Sequence, residues 1–206
     1  MIDESLEIKN LRNENRKLAE KVVDFEKMKA DNQAFRSQFE ISEIRSDSLL
    51  ASRVVGYLGD TAFPKNLILD KGKLDGVQEG MSVISGKNLV GKIEKVTEKY
   101  SQVMLAINKD FVILGKTSQE SIQGIIKGED DFMLFDKVDI TQNLVLGEII
   151  VTKGELKNDG IGVQNDLIVG KITSINKKNS QPFQTAKIES FLKFNLLDTV
   201  FILKVQ

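Results

Sequence analysis

The 206-residue chain contains no cysteine and no histidine. Disulfides, thiol nucleophiles, thiolate zinc sites, histidine-based triads and histidine–carboxylate iron sites are therefore excluded together. Zero cysteine suits a reducing cytoplasm and an outer compartment equally, so it does not place the chain. Tryptophan is absent and aromatics make up 6%, which leaves few stacking platforms for single-stranded nucleic acid or sugar. Positive charge is not in excess: 29 Lys and Arg stand against 30 Asp and Glu, so the footprint of a nucleic-acid binder is missing. No run approaches the roughly 18 apolar residues that cross a bilayer, and no signal-peptide core is visible. What is present is 41% hydrophobic residues, ample for a core.

One absence is local. All 15 glycines lie at or after Gly56, and both prolines (Pro64, Pro182) lie beyond it. Residues 1–46 carry 9 basic and 10 acidic residues, against 20 of each in the remaining 160. With no breakers and many good helix formers, residues 1–46 read as one helix of roughly 65 Å at 1.5 Å per residue. Its apolar seam follows a heptad, with Ile8, Asn15 and Val22 at a and Leu11, Leu18 and Phe25 at d. After a three-residue slip it resumes with Met28 and Phe35 at d and Asn32 and Phe39 at a. A narrow seam on so charged a helix finds no cover in its own segment, and a second copy would satisfy both the seam and the a-position asparagines. The alternative is an amphipathic helix lying on the downstream domain.

From about residue 47 to 206 the texture is short β-strands, rich in Val and Ile and punctuated by Gly, Asn, Asp and Lys turns. Stretches 66–70, 81–85, 88–96, 101–107, 111–114, 144–152, 167–175, 185–188 and 199–205 read as strands, with Gly86-Lys87-Asn88 as a hairpin loop. With no intervening helical pattern, this predicts small β-barrels or sandwiches. Leu89-Val90-Gly91-Lys92-Ile93-Glu94-Lys95-Val96 is echoed 79 residues later by Ile168-Val169-Gly170-Lys171-Ile172-Thr173-Ser174-Ile175. Each copy interrupts a strand with Gly, as at a bulge or sharp bend, and the echo predicts two related barrels. They either follow one another or nest, with 76–147 as one barrel and both flanks closing the other.

Catalytic patterns are scarce. Two Ser-x-x-Lys strings, Ser174–Lys177 and Ser190–Lys193, are what chance supplies from 14 Ser and 24 Lys, and their companion Ser-Asp-Asn and Lys-Thr-Gly elements are absent. Gly160-Ile161-Gly162 lacks the third glycine and the helix of a dinucleotide fingerprint. Glu129-Asp130-Asp131 lacks the spacing of a calcium loop and reads as a solvated turn. No catalytic residue, metal site or cofactor is assigned, and the chain reads as a binding or scaffolding protein.

The β region carries a specific string. Phe63-Pro64-Lys65-Asn66 leads to Leu67-Ile68-Leu69-Asp70-Lys71-Gly72, then Asp75-Gly76-Val77, Gly80-Met81 and Leu89-Val90-Gly91-Lys92. Later, Gly147-Glu148-Ile149-Ile150-Val151-Thr152-Lys153-Gly154 precedes Leu167-Ile168-Val169-Gly170-Lys171. Together they resemble the extracytoplasmic part of the rod shape-determining MreC family, with Asp70, Gly72, Gly76, Gly80, Gly91, Gly147, Gly154 and Gly170 as motif positions. Lys153 departs from the family's Ser, Glu148 from its Asp, and the usual Phe-Pro is absent near 158–161. The resemblance implies a coiled-coil helix before two small β-barrels, loosely like chymotrypsin-type barrels without catalytic residues. It also implies a single membrane-spanning segment upstream of Met1 and a periplasmic location for this region. The implied role is a dimeric or filamentous scaffold of cell elongation. The implied partners are a class B penicillin-binding protein, MreD, RodZ and MreB. The competing reading is a periplasmic adaptor of the membrane-fusion type, which would insert a helical hairpin within the barrel sequence.

Overall fold

The computed structural model describes residues 12–14, 16–18, 20–23, 49–59, 64–156, 161–178 and 180–204. The chain divides into two units, Met1–Ile41 and Ser42–Gln206. In the first, residues 12–14, 16–18 and 20–23 are helical, with an Arg16–Glu20 ion pair of 3.9 Å one turn apart. Of the ten predicted seam residues, Leu18 and Val22 lie here, both exposed. Ile8, Leu11, Asn15, Phe25, Met28, Asn32, Phe35 and Phe39 lie outside the described residues. What is shown is a short helix, and the long rod expected over 1–46 is not supported by it.

The second unit is mainly β. Its strands are β1 (Leu49–Gly59), β2 (Pro64–Leu69), β3 (Ser82–Ser85), β4 (Asn88–Val96), β5 (Ser101–Leu105), β6 (Val112–Thr117), β7 (Gln123–Gly128), β8 (Met133–Asp139), β9 (Ile149–Leu156), β10 (Gly162–Asn176), β11 (Phe183–Glu189) and β12 (Thr199–Leu203). Among the described residues its helical turns are two 3-10 segments, Lys73–Asp75 and Phe194–Leu196. Nothing among the described residues supplies the helical hairpin that the adaptor reading required.

Strand pairing closes two six-stranded rings. Ring A runs β4-β3-β12-β1-β2-β5 and closes through β5–β4; ring B runs β10-β9-β6-β7-β8-β11 and closes through β11–β10. The rings meet at a parallel pairing of β10 with β4, Ile168 opposite Asn88. Read in this order, β1 to β5 of ring A match β7 to β11 of ring B, and β12 matches β6. Cross-strand partners agree residue by residue: Ile93–Val103–Leu67 in ring A corresponds to Ile172–Ile188–Met133 in ring B. The 79-residue echo is thus β4 and β10, the bent strand that closes each ring.

The nesting differs from the 76–147 boundary. Ring B occupies Val112–Glu189, inserted whole between β5 and β12, so β3, β4 and β5 belong to ring A. The chain changes rings at 106–111, where Asn108 holds the crossing in place. Its side-chain amide donates to the Lys65 carbonyl (3.2 Å) and to Asn66 Oδ1 (3.3 Å), while its Oδ1 accepts from the Asp110 amide (2.9 Å). A buried asparagine reads as an ordinary turn residue in sequence; only its partners reveal a switch point.

The interior of each ring is filled by alternate residues, as in β5, where Ser101, Val103 and Leu105 point in and Gln102 and Met104 lie half-exposed. Three strands of ring A break the alternation, β4 among them with Leu89, Val90 and Gly91 buried in succession. Ser82, Val83 and Ile84 of β3 are buried in succession, as are Val200 to Leu203 of β12. Such runs mean that both faces of the strand are covered. For β3, the second cover is β10 of ring B.

Candidate functional site

The ionisable groups are arranged for structure. Arg53 pairs with Asp70 at 3.1 Å, Lys71 with Asp75 at 2.9 Å, Lys109 with Asp130 at 2.6 Å, Lys116 with Asp166 at 2.8 Å and Lys127 with Asp136 at 2.6 Å. Neither Ser-x-x-Lys string forms a nucleophile–base pair: Lys177 Nζ donates to the Gln142 carbonyl (3.3 Å), and Ser190 Oγ accepts from the Leu192 amide (3.1 Å). Among the described residues, no three acidic side chains gather as a metal site. What this arrangement can do is hold β surfaces in register.

The motif residues fall at corners and crossings. Asp70 ends β2 and clamps it to β1: its Oδ1 accepts from the Arg53 amide (2.8 Å) and Ser52 hydroxyl (3.0 Å), its Oδ2 from Arg53 Nε (3.1 Å). Burial works to raise its pKa, but those donors outweigh it and hold the carboxyl below its usual range. Gly72 and Gly76 flank the 3-10 turn Lys73–Asp75, the Gly72 amide donating to Asp75 Oδ2 (3.1 Å). Gly80 and Gly147 open β3 and β9 in the same way, each amide donating at 2.8 Å to the carbonyl of Ile93 or Ile172. Gly154 lies within β9 beside Asn165. Gly91 and Gly170 mark the crossings: a Cβ on Gly91 would lie 2.0 Å from the Met104 carbonyl oxygen, and one on Gly170 2.2 Å from that of Glu189. The motif therefore places backbone at turns and crossings.

Sequence reasoning missed the joint between the rings. Between Asn165 and Ile168 the β9–β10 ladder slips, and Asp166 takes a positive φ of 60°. Opposite this bulge, Thr152 Oγ1 donates to the Gln164 carbonyl (2.6 Å) and accepts from the Leu167 amide (3.0 Å). From ring A, Ser82 Oγ donates to the Gly162 carbonyl (3.2 Å) and accepts from the Gln164 amide (3.1 Å). Two fully buried hydroxyls, one per ring, thus take the place of a missing strand along β10. The Ile168 amide completes the joint by donating to the Lys87 carbonyl (2.9 Å). The available signal was a hydroxyl amid an apolar run, Met81-Ser82-Val83-Ile84 and Ile149-Ile150-Val151-Thr152.

Several large apolar side chains stay exposed: Val55 and Leu58 on β1, Val112 and Leu114 on β6, and Val145 and Leu146 before β9. The Leu114 amide, just past the end of the β6–β9 ladder, is bonded by the Glu155 carboxylate.

The model for "Rod shape-determining protein MreC, barrel core" matches residues 55–204. The cell shape-determining protein MreC of Escherichia coli (strain K12) is 27% identical over 117 residues, covering 55% of this chain and 31% of that protein. That of Haemophilus influenzae is 24% identical over 191 residues, covering 90% of this chain and 53% of that protein. The chain thus spans about a third to about half the length of those relatives. Among solved structures, one MreC chain superposes with a TM-score of 0.75 at 20% identity, covering 85% of this chain and 98% of that one. A chain in a complex between penicillin-binding protein PBP2 and MreC from Helicobacter pylori gives a TM-score of 0.58 at 16% identity, covering 76% and 98%. At these identities the structures show a shared fold.

Proposed function

Because the chain belongs to the MreC family, we propose that it is a non-catalytic scaffold of the bacterial cell-elongation machinery, maintaining shape by organising peptidoglycan-synthesis enzymes outside the cytoplasmic membrane. The observation that carries this is the family match across 55–204, which takes in strands of both rings. Two closed rings held by a buried joint suit the task, because they present outward β surface while their backbone groups are satisfied internally. The partner is a class B penicillin-binding protein, a reading supported by the Helicobacter pylori complex. MreD, RodZ and MreB are reached through a membrane-spanning segment upstream of Met1, which leaves this region periplasmic. The test is expression of the full-length parent protein in rod-shaped cells depleted of their own copy. Rods should return, and round cells despite full expression would defeat the proposal.

Self-association belongs to the same proposal. The exposure of Leu18 and Val22 on the N-terminal helix supports a second copy as their cover. The chain should run as a dimer or larger in light scattering, and one starting near Ser48 should lose most of that mass. Replacing Leu18 and Phe25 together by Asp should also abolish pairing while the β region keeps its melting temperature. Unchanged mass would place the contact elsewhere.

A further inference from the structure

The turns that lead into β3 and β9 have the same backbone and opposite polarity. In ring A, Val77-Gln78-Glu79-Gly80-Met81 buries Val77 and Met81 and exposes Gln78 and Glu79, as a solvated turn should. The Met81 amide donates to the Gln78 carbonyl (3.4 Å), and the Met81 carbonyl accepts from Ile93 (2.9 Å). In ring B, Leu144-Val145-Leu146-Gly147-Glu148 repeats these bonds: the Glu148 amide donates to the Val145 carbonyl (3.2 Å), and its carbonyl accepts from Ile172 (2.9 Å). Here, however, the two outer positions are apolar, Val145 at 54% and Leu146 at 63% exposure, while Glu148, at 8%, sits where ring A has Met81. Glu148 Oε1 is buried with no hydrogen-bond partner. No cation among the described residues pairs with it.

A carboxyl with one oxygen buried and without a partner lowers stability, and the twin ring shows that the position accepts a thioether. Exposed valine and leucine on the same turn contribute nothing to the core. Resting on the scaffold reading, we infer that this turn of ring B is a docking point for a partner protein that inserts a lysine or arginine flanked by apolar side chains. The cation would meet Glu148, and the apolar flanks would cover Val145 and Leu146. Charge complementarity selects this occupant, because an apolar partner would leave the carboxylate both buried and unpaired.

The twin turn supplies variants with a known precedent for folding. Glu148→Met should raise the melting temperature by about 2–4 °C and weaken binding of the cognate class B penicillin-binding protein's extracytoplasmic part by roughly tenfold or more. Val145→Gln with Leu146→Glu should weaken binding similarly while leaving the melting temperature within about 1 °C. Binding by Glu148→Met within twofold of the parent overturns the inference and leaves the scaffold reading intact. If the parent itself binds no penicillin-binding protein, the partner assignment fails, and a Leu-Arg-Leu peptide titrated into the labelled chain decides the inference. Amide shifts at 145–148 that vanish in Glu148→Met uphold it, and their absence in the parent overturns it.

Discussion

Ring B takes all six strands from one uninterrupted stretch, Val112 to Glu189, whereas ring A begins at Leu49 and closes only when Thr199–Leu203 returns from the far end of the chain. Ring B is therefore made of local hairpins and one crossover, while ring A must close a loop that contains all of ring B. The two otherwise share a ladder, including a bent closing strand and a clamped Asp. Asp70 and Asp136 stand three residues past the matching core positions Leu67 and Met133. The lesson is that the ladder and its special backbone points are the duplicated part. Connectivity and surface polarity have diverged, most plainly in the turns before β3 and β9.

The glycines at the two crossings give the sharpest test of that equivalence. Gly91→Ala and Gly170→Ala each drive a methyl into a backbone carbonyl oxygen of the paired strand, β5 or β11, at 2.0 and 2.2 Å, and neither oxygen can yield without opening its ring. Each should destabilise the β unit by about 3 kcal/mol in chemical denaturation. Tolerance of one and not the other would show that one crossing carries its ring's closure and its twin does not.

Those crossings were the legible part. Val-Gly-Lys-Ile at Val90 and again at Val169 announces a bent strand twice, and the structure puts both at ring closures. Ring membership was not legible, because a strand's own residues say nothing about which hairpin it leaves. The run 101–114 reads as two successive strands of one barrel, yet the chain changes rings within it at Asn108. Two strands were also missing from the sequence reading. Gln123–Gly128 is short and holds Gly124 and Gly128, and Leu49–Gly59 includes Gly56 and Gly59. Each departs from the Val/Ile-rich pattern because ring neighbours, not propensity, stabilise it. The joint was hidden for a related reason: Ser82 and Thr152 look like tolerated polar residues until β10 is laid beside them.

The joint is the second test, since it is where the two rings act as one body. Ser82→Ala leaves the Gly162 carbonyl and Gln164 amide without their hydroxyl, and Thr152→Val does the same to the Gln164 carbonyl and Leu167 amide. Each change should cost about 1–3 kcal/mol, and the pair less than the sum because both act on Gln164. Amide exchange should quicken at Gln164 and Leu167 while Ile93 and Ile126, deep in ring A and ring B, stay protected. Uniform loss of protection through both rings would mean that the joint is part of one cooperative core and not a seam between two.

The smallest effect separates the rings by pH. Asp136 answers Asp70: burial works to raise its pKa too, but Lys127 and the Lys137 amide hold it below the usual range. A carboxyl whose folded pKa is depressed stabilises the fold above its unfolded value of about 3.9. That contribution is lost as pH falls through the lower, folded value. Asp70→Asn and Asp136→Asn should therefore each flatten the acid limb of stability between about pH 5 and pH 2, by no more than about 1 kcal/mol because both pairs are partly solvated. The partners differ, however. Each carboxyl has an amide donor and a cation, but Asp70 adds the Ser52 hydroxyl, whereas Asp136 adds the nearby charge of Lys137 to that of Lys127. Raising the salt concentration should accordingly erase more of the Asp136 effect than of the Asp70 effect, since screening weakens the two lysine charges and leaves the Ser52 hydroxyl bond in place. Equal salt sensitivity in the two variants would mean that the Ser52 hydroxyl adds nothing to the Asp70 clamp.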